Sequence, residues 1–568
     1  MGCLNKVCCC LGLNKVGLSL LLLMFSLLAL ITSLILTSMN FNRSRQQDWF
    51  WVGGVQSTSA SFRVRIPTTE GTIRTFAIST NSDLTFADDR VLEETLKYNE
   101  ADGDYGVKSV YASSLETDTA YYFGSLDDSN NVVWNVGSFR TPAPEGTRMS
   151  FKVATSGCSL TGADSPFFDD IHKNHDPFLF INAGDFHYED IMSTNIEDRV
   201  AAFDRVMGSS SLGRLYSSQA MSYIWDDHDW IGNNQDGSDL EAGEAAKLGY
   251  QLLFPHYELA ALSNTTAAQN KSSQPVNVAP YQAFAIGTVR FIILDLRSES
   301  KNSNETFEGS IYSTQQEEWL RAELDNSNNY DFVVMVSSRP WTGPASRGDD
   351  KWSGFANDRR NLSKWIASTV GAGKQNLLVV SSDNHMVAYD DGSSTDFSNQ
   401  DVNPAGFPLI HSGPLANVGS FKGVFSTRES FFTDGCHTVN GELNYQYSIL
   451  DFQISETNGA EPCVEISSYR DGNTLILSKK LCGKIMRGGT DEEDTCTSLS
   501  FTTTITGLLI TSGVFISLFM VLSFWKLESR CETIFLTLLD IVFYFVTAGF
   551  VAAGGFFFLK KKKTKEGE

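Results

Sequence analysis

The spacing of apolar positions divides the chain into segments of different kinds. Between Lys15 and Arg43 no charged side chain occurs, and the centre reads LSLLLLMFSLLALITSLILTSM. About 20 apolar residues suffice to cross a bilayer, and a cleaved leader has a shorter apolar core of about 7–15. Residues 1–45 are therefore expected to hold a basic, Cys-rich segment and an uncleaved anchor. Over residues 46–145, runs such as SASFRVRI, RTFAIS and TAYYFGSL alternate at period two between turn residues, which predicts an antiparallel β-sandwich. The joint TPAPEGTR follows as a linker. Over residues 149–490, short apolar runs (FKVATS, FLFINAG, YIWDD, VRFIILDL, FVVMVSS, NLLVVSS) alternate with helical stretches such as IEDRVAAFDRVM and STQQEEWLRAEL. That alternation predicts a layered α/β domain. Ser313 and Gln316 are placed to form a capping box, and later runs such as YQYSILDFQI add a β-rich edge. Residues 495–525 lack charge, and residues 534–559 carry only Asp540. They predict a transmembrane hairpin over 502–559, ahead of a basic tail at 560–568.

Composition narrows the function classes. The 568 residues include 10 Cys, 44 Lys and Arg, and 67 Asp and Glu, for a net charge of -23, with 42% hydrophobic and 20% charged residues. Small disulfide scaffolds and disordered polyelectrolytes are excluded. With +4 on residues 1–45 and +2 on residues 501–568, the region between carries -29. Such acidity argues against nucleic acid bound through a basic surface. Cys3, Cys8, Cys9 and Cys10 suit juxtamembrane palmitoylation, whereas Lys6 departs from the myristoylation pattern after Gly2. Three spans put the termini on opposite sides although both are basic, in conflict with the positive-inside rule. Cys436, Cys463, Cys482 and Cys496 allow two disulfides and leave Cys158 over, which suits an extracellular or lumenal domain.

Five strand ends gather the chemistry. They offer Cys158; Asp185, His187 and Tyr188; Asp226, Asp227, His228 and Asp229; Ser337, Ser338 and Arg339; and Asp383, Asn384 and His385. Residues just past the carboxyl ends of strands build active sites in α/β domains. Each cluster alone has an ordinary explanation, since Gly-Asp is a common turn and a lone Cys is usually a small buried hydrophobe. The run WDDHD is different, because adjacent ionisable groups at the end of an apolar strand resist burial unless cations neutralise them. Carboxylates, imidazoles, a thiolate and a phenolate together suit a two-metal centre with one bridging carboxylate. Tyr and Cys favour Fe(III) at one position, and oxygen-rich ligands suit Ca, Mn or Mg at the other. Bound cations would let an acidic protein take a phosphate. Arg297 and Arg339, at strand ends, could contact substrate, although pairing with nearby carboxylates is the more ordinary role. His411, His172, His175, His256 and His437 read as structural.

The order SGCS, GDFHY, WDDHDWIGNN, LDLR, QQEEWLRAEL, SSRPW, SSDNH resembles the PhoD-type alkaline phosphatases of the metallophosphoesterase superfamily, over roughly residues 48–455. The resemblance implies an N-terminal β-sandwich before the α/β phosphatase domain. It implies Cys158 and Tyr188 as iron ligands, Asp185 as the bridging ligand, and Asp227 as a second-metal ligand. Asp383 and His385 match the late D-x-H ligands and Asn234 a metal-binding Asn, while Asp226 serves as a ligand or an outer acceptor. His228 matches the His that contacts the phosphoryl group and protonates the leaving oxygen; Asp185 and His228 are thus the catalytic pair, with Arg339 a candidate for substrate binding. One departure is visible, because Ser381 and Ser382 precede Asp383 where the family has Ser-Gly or Gly-Gly. The expectation is a membrane-anchored phosphohydrolase acting on small phosphate esters, with no protein partner implied. The alternatives are a phosphodiesterase using the same centre and a non-catalytic, membrane-tethered binding protein.

Overall fold

The computed structural model describes residues 48–483 except 101–104, 238–239, 260–278, 302–308, 370–375, 399–405, 420–431, 440 and 458. The expected anchor within 1–45, the hairpin at 502–559 and the tail at 560–568 lie outside the described residues. Among the described residues, no helix is long and apolar enough to cross a membrane.

The predicted α/β character is present as three main sheets. The largest has nine strands, in spatial order Thr474–Cys482, Cys463–Arg470, Gln446–Gln453, Phe151–Ser156, Leu179–Asn182, Ala220–Tyr223, Trp49–Gln56, Ser59–Arg65 and Val107–Ser113. Its four strands from Phe151–Ser156 to Trp49–Gln56 are mutually parallel, and its flanks are antiparallel. The second sheet has seven strands, with Val289–Ile293, Phe332–Ser337, Leu377–Ser381 and Leu409–His411 parallel at its centre. The two sheets meet through Phe151, Phe291, Phe332 and Phe452, with Phe291 and Phe332 centroids 6.1 and 5.6 Å from that of Phe452. Side chains alternate across each strand, so Ile292 and Val333 face the other way. They join Leu320 and Leu324 of the helix Thr314–Asp325 and Leu362 and Ile366 of the helix Ala356–Thr369 in a second core.

The N-terminal sheet is antiparallel, in the order Arg90–Lys97, Ile73–Ser79, Ala120–Leu126, Gly137–Arg140. It packs on the end of the nine-stranded sheet through aromatics, with Phe50–Phe123 centroids 5.4 Å apart and Phe62–Phe76 5.1 Å apart. Burying each such ring contributes ~1.5–3 kcal/mol. The linker near residue 145 therefore does not separate two sheets, because Trp49–Gln56 pairs in parallel with Ala220–Tyr223, Val52 opposite Ala220. Trp51 points to the opposite face and packs on Phe186, Phe203 and Phe254.

Helix starts follow local chemistry only in part. Ser313 accepts from the Gln316 N–H at 3.2 Å, which is half of the expected capping box. The Gln316 side chain instead bonds both backbone groups of Asp295, accepting at 2.9 Å and donating at 2.7 Å. It fastens the helix to the end of Val289–Ile293. Of the four cysteines that allow two disulfides, Cys463 and Cys482 are joined, facing each other across antiparallel strands. Cys158 is free and buried, and Cys496 lies outside the described residues. Closing a short loop with a disulfide is worth about 3 kcal/mol, so the Cys463→Ser/Cys482→Ser variant should lose about that much stability in a denaturant titration.

Candidate metal centre

Four strand ends converge. Cys158 follows Phe151–Ser156, Asp185 and Tyr188 follow Leu179–Asn182, Asp226 and Asp227 follow Ala220–Tyr223, and Asp383 and His385 follow Leu377–Ser381. Cys158, Asp185, Asp383, His385 and Asn234 all have left-handed backbone, with φ between 51° and 70°. Such conformations cost a non-glycine residue energy and persist where the surroundings fix them. Gly184 clears the space, since a Cβ there would lie 2.6 Å from the Asp226 Cβ. The Ser381-Ser382 departure is accommodated by Gly157, where any Cβ would collide with Ser382 Oγ. Ser382 Oγ then lies 3.4 Å from Cys158 Sγ.

Among the described residues, ligand-type atoms form three overlapping groups, each with its atoms within 4.8 Å of one another: Cys158, Asp185 and His385; Asp185, Asp227 and His228; and Asp226, Asp227 and Asp383. Asp185 and Asp227 each belong to two of them. Tyr188 joins the first, its hydroxyl donating to Asp185 Oδ2 at 2.7 Å and lying 3.0 Å from His385 Nε2. His385 Nδ1 lies 2.8 Å from the Val418 carbonyl, which can only accept. That contact places the ring proton on Nδ1 and leaves the Nε2 lone pair facing the cluster. Asn234 contributes through its backbone, its N–H donating to Asp227 Oδ2 at 2.7 Å, while the residue itself is exposed.

The acidic run after Ala220–Tyr223 is divided by a helical turn, Asp227–Trp230, capped by Asp226. Asp229 turns back to the backbone, accepting from the N–H groups of Asp226 at 2.6 Å and Phe186 at 2.8 Å and from the Tyr223 hydroxyl at 2.7 Å. It needs no cation. Asp226 and Asp227 do, since Asp226 Oδ2 and Asp227 Oδ1 are buried and accept no hydrogen bond. Arg297, wholly buried, lies 2.5 Å from Asp226 Oδ1, 3.7 Å from Asp227 and 3.2 Å from Asp350. The ordinary role, ion pairing, is the one its geometry shows. Arg339 is also buried, donates to Ser300 Oγ at 3.2 Å and covers the Phe355 ring.

Electrostatics point the same way. Burial, then Asp227 and Asp226, push the Asp185 carboxyl well above its usual range. Burial raises Asp226 to about 6 despite Arg297. Burial also pushes Asp227 up, yet Arg297 and His228 more than offset it and hold it below the usual range. Burial, then Asp185, raise the Cys158 thiol and the Tyr188 phenol well above their ordinary values. One guanidinium therefore faces more carboxylates than it can balance, and the donor set fits cations.

Two features escaped the sequence reading: Asp190 Oδ1 lies 2.7 Å from His228 Nδ1, and Asp350 supports Arg297. His187, a strand-end candidate, joins none of the ligand groups among the described residues; it packs on Phe203, its pKa lowered to about 3 by burial and then Arg199. A carboxylate five residues past Asp185 was the visible signal for Asp190. His411 is fully buried, with neither ring nitrogen hydrogen-bonded.

The PhoD-like phosphatase family model matches residues 155–448, more than half of the chain. The chain belongs to the PhoD-like phosphatase family. The match takes in every candidate ligand named above, and membership implies phosphoester hydrolysis. The solved structure of PhoD superposes with a TM-score of 0.54 over 78% of this chain and 93% of that one, at 16% identity, which shows a shared fold. Two weaker structural matches carry no argument. They are the sensor domain of the anti-sigma factor RsgI4 in Pseudobacteroides cellulosolvens (TM-score 0.12, 12% identity, 16% of this chain and 93% of that one) and Ruminococcus gnavus β-glucuronidase (TM-score 0.23, 9% identity, 60% and 54%). No curated protein matches the chain.

Proposed function

We propose that the protein is a membrane-anchored, two-metal phosphohydrolase that releases inorganic phosphate from organic phosphate esters outside the cytosol. The observation that carries this reading is that Asp185 and Asp227 are each shared between neighbouring groups of ligand atoms. Cys158, Tyr188, Asp185 and His385 would hold Fe(III), the site for which thiol and phenol donors are suited. Asp185, Asp227, Asp226 and Asp383 would hold Ca, or Mn or Mg, with the Asn234 N–H orienting Asp227. When bound, the cations would supply positive charge for the phosphoryl oxygens and acidify a water. His228 would give a proton to the leaving oxygen, and Arg339 would add positive charge from its buried position. The membrane tether rests on the apolar stretches near both ends of the sequence.

The test uses the full-length chain loaded with Fe(III) and Ca, with metal content and hydrolysis of a chromogenic monoester and diester measured before and after chelation. Loss of turnover on chelation with recovery on reloading is expected; an intact fold with neither metal nor turnover overturns the reading. The diester arm separates phosphatase from phosphodiesterase, and a non-catalytic tethered protein would turn over neither. Asp190→Asn should leave metal content intact. General acid help is worth ~10²–10⁴-fold, so loosening the His228 ring should lower kcat by about 10–100-fold.

A further inference from the structure

Single exposed apolar side chains are normal on a protein surface; a cluster of them around one site asks for an explanation. Nine large hydrophobic residues are exposed among the described residues, and four of them lie on or beside segments that hold the candidate ligands: Leu160 (38%), Met192 (61%), Val418 (44%) and Leu443 (45%). Hydrogen bonds tie these loops to the candidate chemistry. Leu160 stands two residues past Cys158, and its N–H donates to the Ala416 carbonyl at 2.9 Å. The next residue, Thr161, accepts from the Tyr188 N–H through its hydroxyl at 2.8 Å. The Val418 carbonyl holds His385, and Val418 pairs with Leu443 across a short antiparallel ladder. Met192 stands two residues past Asp190, the partner of His228. The Tyr188 and His228 rings are themselves 4.1 Å apart, so the segments bearing the four exposed side chains are those tied to Cys158, Tyr188, His228 and His385.

We infer that the preferred substrates are phosphate esters whose leaving alcohol is apolar, its hydrocarbon portion lying over Leu160, Met192, Val418 and Leu443. This rests on the phosphohydrolase reading and adds the leaving-group chemistry to it. The charged groups beside these positions, Asp190 and Glu442, are carboxylates, which would repel a second phosphate, and each methylene covered gains part of its transfer free energy.

A series of n-alkyl phosphates keeps the leaving-alkoxide chemistry constant while chain length grows. With the metal-loaded full-length protein below the critical micelle concentration, kcat/KM for hexyl phosphate should exceed that for ethyl phosphate by about tenfold, since four methylenes partly covered give a gain of that order. The difference should appear mainly in KM. In Leu160→Ser/Met192→Ser the hexyl-to-ethyl ratio should fall toward one, while Ile73→Ser, a distant exposed position, keeps it. Long-chain phosphate presented in vesicles tests whether a lipid surface supplies the same chemistry; a rate gain there that the double variant loses supports the rim, and a gain that it keeps assigns the effect to the surface and overturns it. Equal kcat/KM for hexyl and ethyl phosphate overturns the inference and leaves the phosphatase reading standing. No hydrolysis of either ester removes that reading, and this inference with it.

Discussion

Asp185→Asn should abolish hydrolysis and empty both metal positions while leaving the fold intact. Asparagine keeps the shape of the side chain and removes the charge. Asp185 shares one group of ligand atoms with Cys158 and His385 and another with Asp227 and His228, so the substitution withdraws a donor from two groups at once. Outer-shell partners typically cost ~10–100-fold in affinity or activity when removed, and loss of a shared donor should exceed that range. Stability should move the other way. Burial and the neighbouring carboxylates already push the Asp185 carboxyl well above its usual range, so the neutral amide relieves repulsion in the metal-free protein. Metal analysis, kcat and a denaturation midpoint on the same sample check all three expectations. Full metal content with full activity would place the centre elsewhere.

Arg297→Met should destabilise the metal-free protein by about 3–5 kcal/mol at neutral pH, the range for stripping one partner from a buried ion pair. The guanidinium is wholly buried against Asp226, Asp227 and Asp350. Methionine fills similar volume, so the loss reports charge. The pH dependence has a definite sign. A carboxyl whose pKa is raised on folding, as burial raises Asp226 to about 6, keeps a proton that the unfolded chain has released. Stability therefore falls as pH rises from about 4 through 6. Without Arg297 that fall should be steeper, and loading with divalent cations should flatten it. A denaturation midpoint that does not change between parent and variant at pH 7 would show that Arg297 does not balance this cluster.

Much of the centre was legible because strand ends are legible. An apolar run that stops at Asn182 or Ser381 predicts where the chain leaves the sheet, and Asp185 and Asp383 stand just beyond. Less legible was the division of labour inside WDDHD, where Asp226 and Asp227 face the cluster and Asp229 serves backbone donors. That outcome depends on a helical turn four residues long, too short for any periodicity to announce. Asp190 was missed because its partner is 38 residues away. Gln316 looked like half of a capping box, and a stronger demand from the Asp295 backbone took its side chain. The alternation in residues 46–145 located strands such as Ser59–Arg65, Ile73–Ser79 and Ala120–Leu126 but not Trp49–Gln56, and it could not show that some complete a sheet with residues 150–222, since local pattern says which face is buried and is silent about the partner.

That shared sheet governs how the protein can be assembled. Trp49–Gln56 leaves the ribosome more than 160 residues before its parallel partner Ala220–Tyr223, and parallel pairings of such sequence separation form slowly. Until the partner arrives, a strand carrying two Trp and a Phe has one open edge, the situation that invites pairing with another chain. A fragment starting at residue 149 would face the mirror problem, with the strand that leads into Asp226 and Asp227 left as the rim of a truncated sheet. The catalytic half is thus not portable without the N-terminal one, and gene fusions or truncations that cut near residue 145 should yield aggregates where the uncut chain yields a folded enzyme.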